Sequence, residues 1–206
     1  TLPTHFGVGA GRTVANDIWD CFLANLQSDG TTAFWTDSAI TTVGNLMKAN
    51  LTSGAALAFA TLEAAHLRQA AQTDPTGQPA GILGQVLLVP TALAGTALQL
   101  NTSERAPVYA TTRAAAVGDA NTMRGRQKCV ASAYLQNGTI KSDGTVRAGS
   151  ATDWFLTALA SDTAYPIEIG FLNGVETPII ERAEADFNRL GISFRTFLDY
   201  GVAMGE

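Results

Sequence analysis

Charge is scarce in this 206-residue chain: Lys, Arg, Asp and Glu make up 15% of it, against ~25% in ordinary soluble domains. Ala, Thr and Gly fill the difference. A neighbour can cover such a surface while stripping few hydrated groups. Basic residues are the scarcer sign, 13 against 18 acidic for a net charge of −5. That excludes a nucleic-acid-gripping surface, which needs clustered Lys and Arg. The densest basic group, Arg124, Arg126 and Lys128, is read as a solvated loop or strand edge. There are two cysteines, Cys21 and Cys129. Neither belongs to a CxxC pair, which excludes a zinc or dithiol motif. Free, buried thiols are expected, as in a protein made in a reducing cytoplasm. No apolar run approaches the ~18 residues of a membrane span. The opening TLPTHFGVGAGR lacks the basic and apolar regions of a signal peptide.

Catalytic signatures are also missing. The two histidines are His5 and His66. His66 falls mid-helix beside an apolar stripe and three residues after Glu63, and is read as a packed histidine paired with that carboxylate. No GxSxG or HExxH sequence occurs. Gly7-Val8-Gly9-Ala10-Gly11 has its third glycine one residue early for a dinucleotide loop, with no strand before it. It is read instead as a flexible stretch where a terminal arm changes direction. Glu176, Glu181, Glu184 and Asp186 are interleaved with Arg182 and Arg189, which favours charge pairing or a solvated turn over a metal site. Trp19, Trp35 and Trp154 are too scattered for a stacking platform and are expected in packed positions. No catalytic, cofactor-binding or metal-ligating residue is assigned.

What is present is a change of hydrophobic period along the chain. Val14, Ile18, Cys21, Phe22 and Leu26 recur at helical spacing, and Ser28-Asp29-Gly30 is expected to end that helix. A second helix carries Ile40, Val43, Leu46 and Met47, with Asn50 as its C-cap. The longest helix is expected over 52–72, with Ala and Leu stripes on two sides. The run 85–89 (QVLLV) then reads as a buried strand ended by Pro90. Thr91 is placed to cap a short helix, and 108–110 to form a strand. Residues 111–127 look loop-like. Asn137-Gly138 between 128–135 and 139–146 signals a hairpin, with a further turn at 141–144 (KSDG). Strands are expected at 153–158 and 167–171, a turn at Asn173-Gly174, and one long strand over 191–202 with a bulge near its paired aromatics. Helices first and strands later define an α+β chain. At this length about 70% of the unfolded surface can be buried, so no staple is required.

Three stretches, in order, carry a resemblance: DGTTAFWTDSAITTVGNL (29–46), GQVLLVPTALAGTALQL (84–100) and FLNGVETPIIERAEADFNRLGISFRTFLDYGVA (171–203). Together they make most of residues 12–203 resemble the major capsid proteins of tailed phages, specifically the Mu-like group and its prophage relatives, some fused to a prohead protease. The resemblance implies the HK97-type capsid fold: a peripheral domain with a long spine helix and a β-hairpin, and an axial domain with a central sheet. The implied division is 1–11 as a remnant of the N-terminal arm and extended loop, 12–90 with 166–206 as peripheral domain, and 91–165 as axial domain. The spine is assigned to 52–72, and the arm and extended loop are expected to be absent or shortened. The implied function is a non-enzymatic subunit of an icosahedral virion shell, assembled in the host bacterial cytoplasm into pentamers and hexamers. Its partners would be copies of itself, a scaffold or prohead protease, and packaged DNA enclosed without sequence-specific binding, with no cofactor and no membrane. A nanocompartment shell protein of the same fold is one alternative. A small α+β hydrolase or ligand-binding protein is another, and it would need His66 in a pocket with a serine and a carboxylate.

Overall fold

A computed structural model describes residues 2–26, 30–31, 33–36, 54–73, 76–105, 120–141, 143–158, 167–183 and 192–204. In chain order it holds α1 (Leu2–Ala24), α2 (Phe59–Ala70), β1 (Val86–Pro90), a 3-10 turn (Thr91–Leu93), α3 (Ala94–Thr102), β2 (Lys128–Ser132) and α4 (Ala133–Asn137). There follow β3 (Thr139–Ile140), β4 (Val146–Arg147), β5 (Phe155–Thr157), β6 (Ile167–Phe171), β7 (Ile179–Arg182), β8 (Phe194–Phe197) and β9 (Tyr200–Met204). The α+β reading holds.

The run VLLV lacks alternation because β1 is covered on both faces. It is the central strand of the order β2-β1-β5, parallel to β2 through Leu87↔Cys129 and antiparallel to β5 through Leu87↔Leu156. Leu87 and Val89 join Leu62, Ala97, Leu100 and Met123 in one core, supplied largely by α2 and α3. Leu88, one residue out of phase, packs with Phe22, Leu135, Trp19, Trp35 and Phe155 in a second core, supplied by α1, α4 and β5. Trp35 and Trp154 thus pack as expected, and the indole of Trp154 donates to the Ala55 carbonyl at 2.9 Å.

Polar side chains close the ends of these elements. The Gln136 side chain accepts from the Ala92 N–H at 2.8 Å and also pairs with the Thr91 hydroxyl. The cap of the 3-10 turn therefore comes from α4, and Thr91 makes no capping bond of its own. Buried Asn121 donates to the carbonyls of Leu100 and Ser103 at 2.7 and 3.0 Å, satisfying the end of α3, and accepts from the Met123 N–H at 2.9 Å.

Several boundaries differ from the sequence reading. The glycine stretch at 7–11 is helical within α1, so α1 at 23 residues is the longest helix described. It ends at Ala24, ahead of the expected stop, because Asn25 turns left-handed at φ 56°. The helix expected over 52–72 begins only at Phe59. Gly54 is at φ 70°, and Ala58 is extended, its N–H held by the Thr61 hydroxyl at 2.9 Å. Asn137-Gly138 is not a hairpin turn. Residues 133–137 are α4, Gly138 ends it at φ 80°, and β2 runs parallel to β1. A Cβ at Gly138 would stand 2.0 Å from the Arg147 carbonyl oxygen, so the close return of the chain requires glycine. The short hairpin is β3–β4, closed by the KSDG turn, where the Lys141 N–H donates to the Thr145 carbonyl at 2.9 Å. The helix expected from Ile40 to Met47 and the strand at 108–110 lie outside the described residues.

Candidate assembly surface

The expected long strand is two strands, β8 and β9, each with its own partner. β9 pairs with β6 from Ile167↔Met204 to Phe171↔Tyr200. β8 pairs with β7 from Ile179↔Phe197 to Arg182↔Phe194. The Leu172 N–H donates to the Asp199 carbonyl at 3.0 Å and carries the pairing into the corner. The result is one antiparallel ribbon with a corner. Its first strand spends 172–178 there, including Asn173 at φ 55°, while the second spends only 198–199. The excess on one side bends the ribbon as a large bulge does.

The two halves of the ribbon differ in what they touch. In β6–β9, Met204 is 1% exposed and Ile167 packs with it against the aromatic core. The outward-facing partners Glu168, Gly170, Gly201 and Ala203 are exposed. In β7–β8, both faces are open. Ile179 and Phe197 oppose each other on one face, 42% and 40% exposed. Ile180 and Phe194 lie on the other, 38% and 37% exposed. Leu172 and Ile192 are also exposed. Two-stranded ribbons are marginal in water by themselves. This one carries large apolar side chains that are exposed on two faces. Exposed apolar surface of that extent marks an interaction site. Beside Ile179 and Phe197, Arg195 donates to Glu181 at 2.5 Å. This is the charge pairing expected for the acidic group, though with Arg195 as partner in place of Arg182. Glu184 and Asp186 lie outside the described residues.

The anchored half is clasped to α1 by polar contacts. The Tyr200 hydroxyl donates to Asp17 at 2.5 Å. Burial and the Asp17 carboxylate push its pKa up to about 12, so it remains a donor at any ordinary pH. One turn on, nearly buried Asp20 accepts from Arg147 at 2.7 Å and pairs with Lys141 at 2.9 Å. Burial opposes its charge, but the hydrogen bonds from Arg147 and Lys141 outweigh burial and hold the carboxyl below its ordinary range. Asp17, Asp20, Lys141 and Tyr200, with Cys21, Asp143 and Val202, line an open polar cleft of about 590 Å³. Asp20 there is matched by two cations, Asp17 accepts from Tyr200 and Asp143 accepts from the Thr145 N–H, so the arrangement holds α1, the β3–β4 hairpin and the ribbon together.

This clasp has a pH signature. A depressed carboxyl stabilises the fold above its unfolded pKa near ~4, and the contribution fades as pH falls through the lowered value. Both cations are more than a third exposed, so Asp20→Asn should cost only about 1–2 kcal/mol at pH 7. Chemical denaturation from pH 7 to pH 3 should show the gap between variant and parent closing at the acid end. A gap independent of pH would show that the pairs contribute nothing.

The other residues weighed from the sequence are scattered. His66 is bonded to Gln127 at 3.3 Å, 61 residues away, in place of Glu63. Burial pushes its pKa down, so the ring is neutral at pH 7. The cleft that it lines holds no serine and no carboxylate among the described residues. Arg124, Arg126 and Lys128 are exposed, and Arg124 reaches Glu104 at 3.8 Å. Cys21 and Cys129 are free and half-buried, and burial pushes both thiols up. Among the described residues no cluster of His, Cys, Asp and Glu is placed to hold a metal, and no helix is long and apolar enough to cross a membrane. The sequence reading missed β7 and the clasp. Ile179-Ile180 carried a strand signal that Pro178 masked. Asp20–Arg147 and Asp17–Tyr200 span 127 and 183 residues, and no local pattern announces such pairs.

The described residues form an α+β fold whose most distinctive surface is a ribbon with exposed apolar side chains on two faces. Comparison with known families gives the specific class: the phage capsid protein family matches over residues 1–206, and the chain belongs to it. It is a structural protein of the bacteriophage virion shell. No curated protein and no solved structure matches the chain.

Proposed function

We propose that this chain is the shell-forming subunit of an HK97-type capsid, closing head-to-tail into the pentamers and hexamers of an icosahedral shell that encloses DNA. The observation that carries this reading is the β7–β8 half of the ribbon, apolar and open on both faces. A surface used on two sides by different neighbours suits heterologous contacts, which close into rings when the rotation between copies closes. Each interface near ~1,600 Å² can be weak alone, while many per subunit make the assembly stable. The low charge of the chain keeps the desolvation cost of those contacts small. Its net charge of −5 suits a wall that contains DNA without gripping it.

In this reading α2 takes the place of the spine helix and β6–β9 with β7–β8 that of the peripheral hairpin. Residues 91–165 form the axial domain, to which β1 is added because it pairs with β2 and β5. A scaffold or prohead protease would act as a transient partner during assembly in the host cytoplasm.

Sedimentation velocity and electron microscopy of the full gene product test the proposal. Rings or closed shells are expected at micromolar concentration. A folded protein that stays monomeric under all assembly conditions would overturn it.

A further inference from the structure

The strongest unassigned feature is a second cleft, about 550 Å³, where β1 and β2 begin. His66, Gly84, Arg126, Gln127 and Lys128 line it. Gln127 is the unusual member, since it is only 4% exposed. Its Oε1 accepts from His66, yet its amide nitrogen has no partner. A buried amide donor without a partner is costly, and a native fold retains one where a ligand or water completes it. The Gln127 Oε1 that faces His66 Nε2 is an acceptor only, which leaves the NH2 group as the free end of the amide.

The charge around that donor has one sign. Arg126 and Lys128 flank Gln127 in sequence and line the same cleft, and no carboxylate lines it among the described residues. In a chain with five more acidic than basic charges, such a pocket stands out. A buried N–H donor plus two cations at the rim is the chemistry that recognises an oxyanion. Water alone could complete the amide, but it would make no use of the two cations.

We propose that this cleft is an oxyanion-binding site, with the Gln127 amide as its buried donor and Arg126 and Lys128 as its charged rim. The oxyanion can be a carboxylate or a phosphate, and two probes separate these sources. Isothermal titration of the full chain with inorganic phosphate and with acetate, at matched ionic strength against chloride, should give saturable binding for at least one of them. Arg126→Gln combined with Lys128→Gln alters only exposed side chains and should weaken that binding at least tenfold. Gln127→Met, which keeps the volume but donates nothing, should weaken it further in a protein whose far-ultraviolet spectrum is unchanged. Saturation by phosphate alone assigns a phosphate site, and by acetate alone a carboxylate site. No saturable binding, or binding equal in the parent and the rim variant, overturns the proposal. These titrations do not depend on shell assembly, so their outcome is separate from that of the capsid reading.

Discussion

Ile179→Asp together with Phe197→Asp should abolish assembly at concentrations where the parent protein forms shells, and leave the subunit folded. The two side chains oppose each other on one face of β7–β8 and are 42% and 40% exposed. Neither holds up the fold, so the cost to subunit stability should stay within about 1–2 kcal/mol, mostly lost strand preference. In an interface each would bury its remaining two-fifths, about 0.6–1.2 kcal/mol on the scale of a whole side chain, and each Asp adds the desolvation of a carboxylate, at least about 1–2 kcal/mol. Together that is at least about 3–6 kcal/mol, or 10²- to 10⁴-fold in the apparent assembly constant at ~1.4 kcal/mol per decade. Light scattering against protein concentration gives the assembly midpoint, and a denaturation curve gives the control. Ile180→Asp with Phe194→Asp repeats the test on the opposite face. If both pairs shift the midpoint, both faces are used. If neither does, the ribbon is not the assembly surface.

The largest effect on stability should come from Phe22→Ala. Phe22 is 3% exposed. Its ring meets Phe155 at 4.8 Å and Trp19 and Trp35 at 5.8 Å, all edge-on. It is where α1 meets the sheet. Removing a buried phenyl ring costs about 3–5 kcal/mol, the spread depending on how far the cavity collapses. For a chain of this size that is a fall in Tm of about 10 °C. Phe22→Leu fills most of the space and should cost under about 1.5 kcal/mol. Val8→Ala, on an exposed stretch of the same helix, should change stability by less than about 0.5 kcal/mol. A loss below 1 kcal/mol for Phe22→Ala would mean that α1 is not fastened through this cluster.

Local patterns named the elements well where the residue's own neighbours decide the matter. The run before Pro90, the helix after it, the strands at β5 and β6 and the turn at Asn173 were all legible, because hydrophobic runs, proline and left-handed turn residues act over a few positions. The errors fall where a distant partner overrides a local preference. Ala and Leu stripes run unbroken through 55–58, but the Ala55 carbonyl is held by Trp154, 99 residues on, and the helix waits until Phe59. Asn137-Gly138 has the composition of a tight hairpin. Parallel pairing of β2 with β1 instead leaves the next strand to pair elsewhere, and Gly138 serves as a helix end. The glycines at 7, 9 and 11 each cost about 1 kcal/mol against alanine in a helix, so the sequence argued for a bend that the structure does not have. The open ribbon face was invisible for another reason. The sequence shows which residues alternate, and only the tertiary arrangement shows that both faces of β7–β8 are exposed.

Amide hydrogen exchange on shells and on the same protein dissociated to subunits addresses the central claim most directly. Uncovered β7–β8 amides should exchange quickly in the free subunit and be protected at least about tenfold more in the shell, while β1 and β2 stay slow in both. Equal exchange of the ribbon in the two states would contradict its role as the surface through which copies of this chain meet.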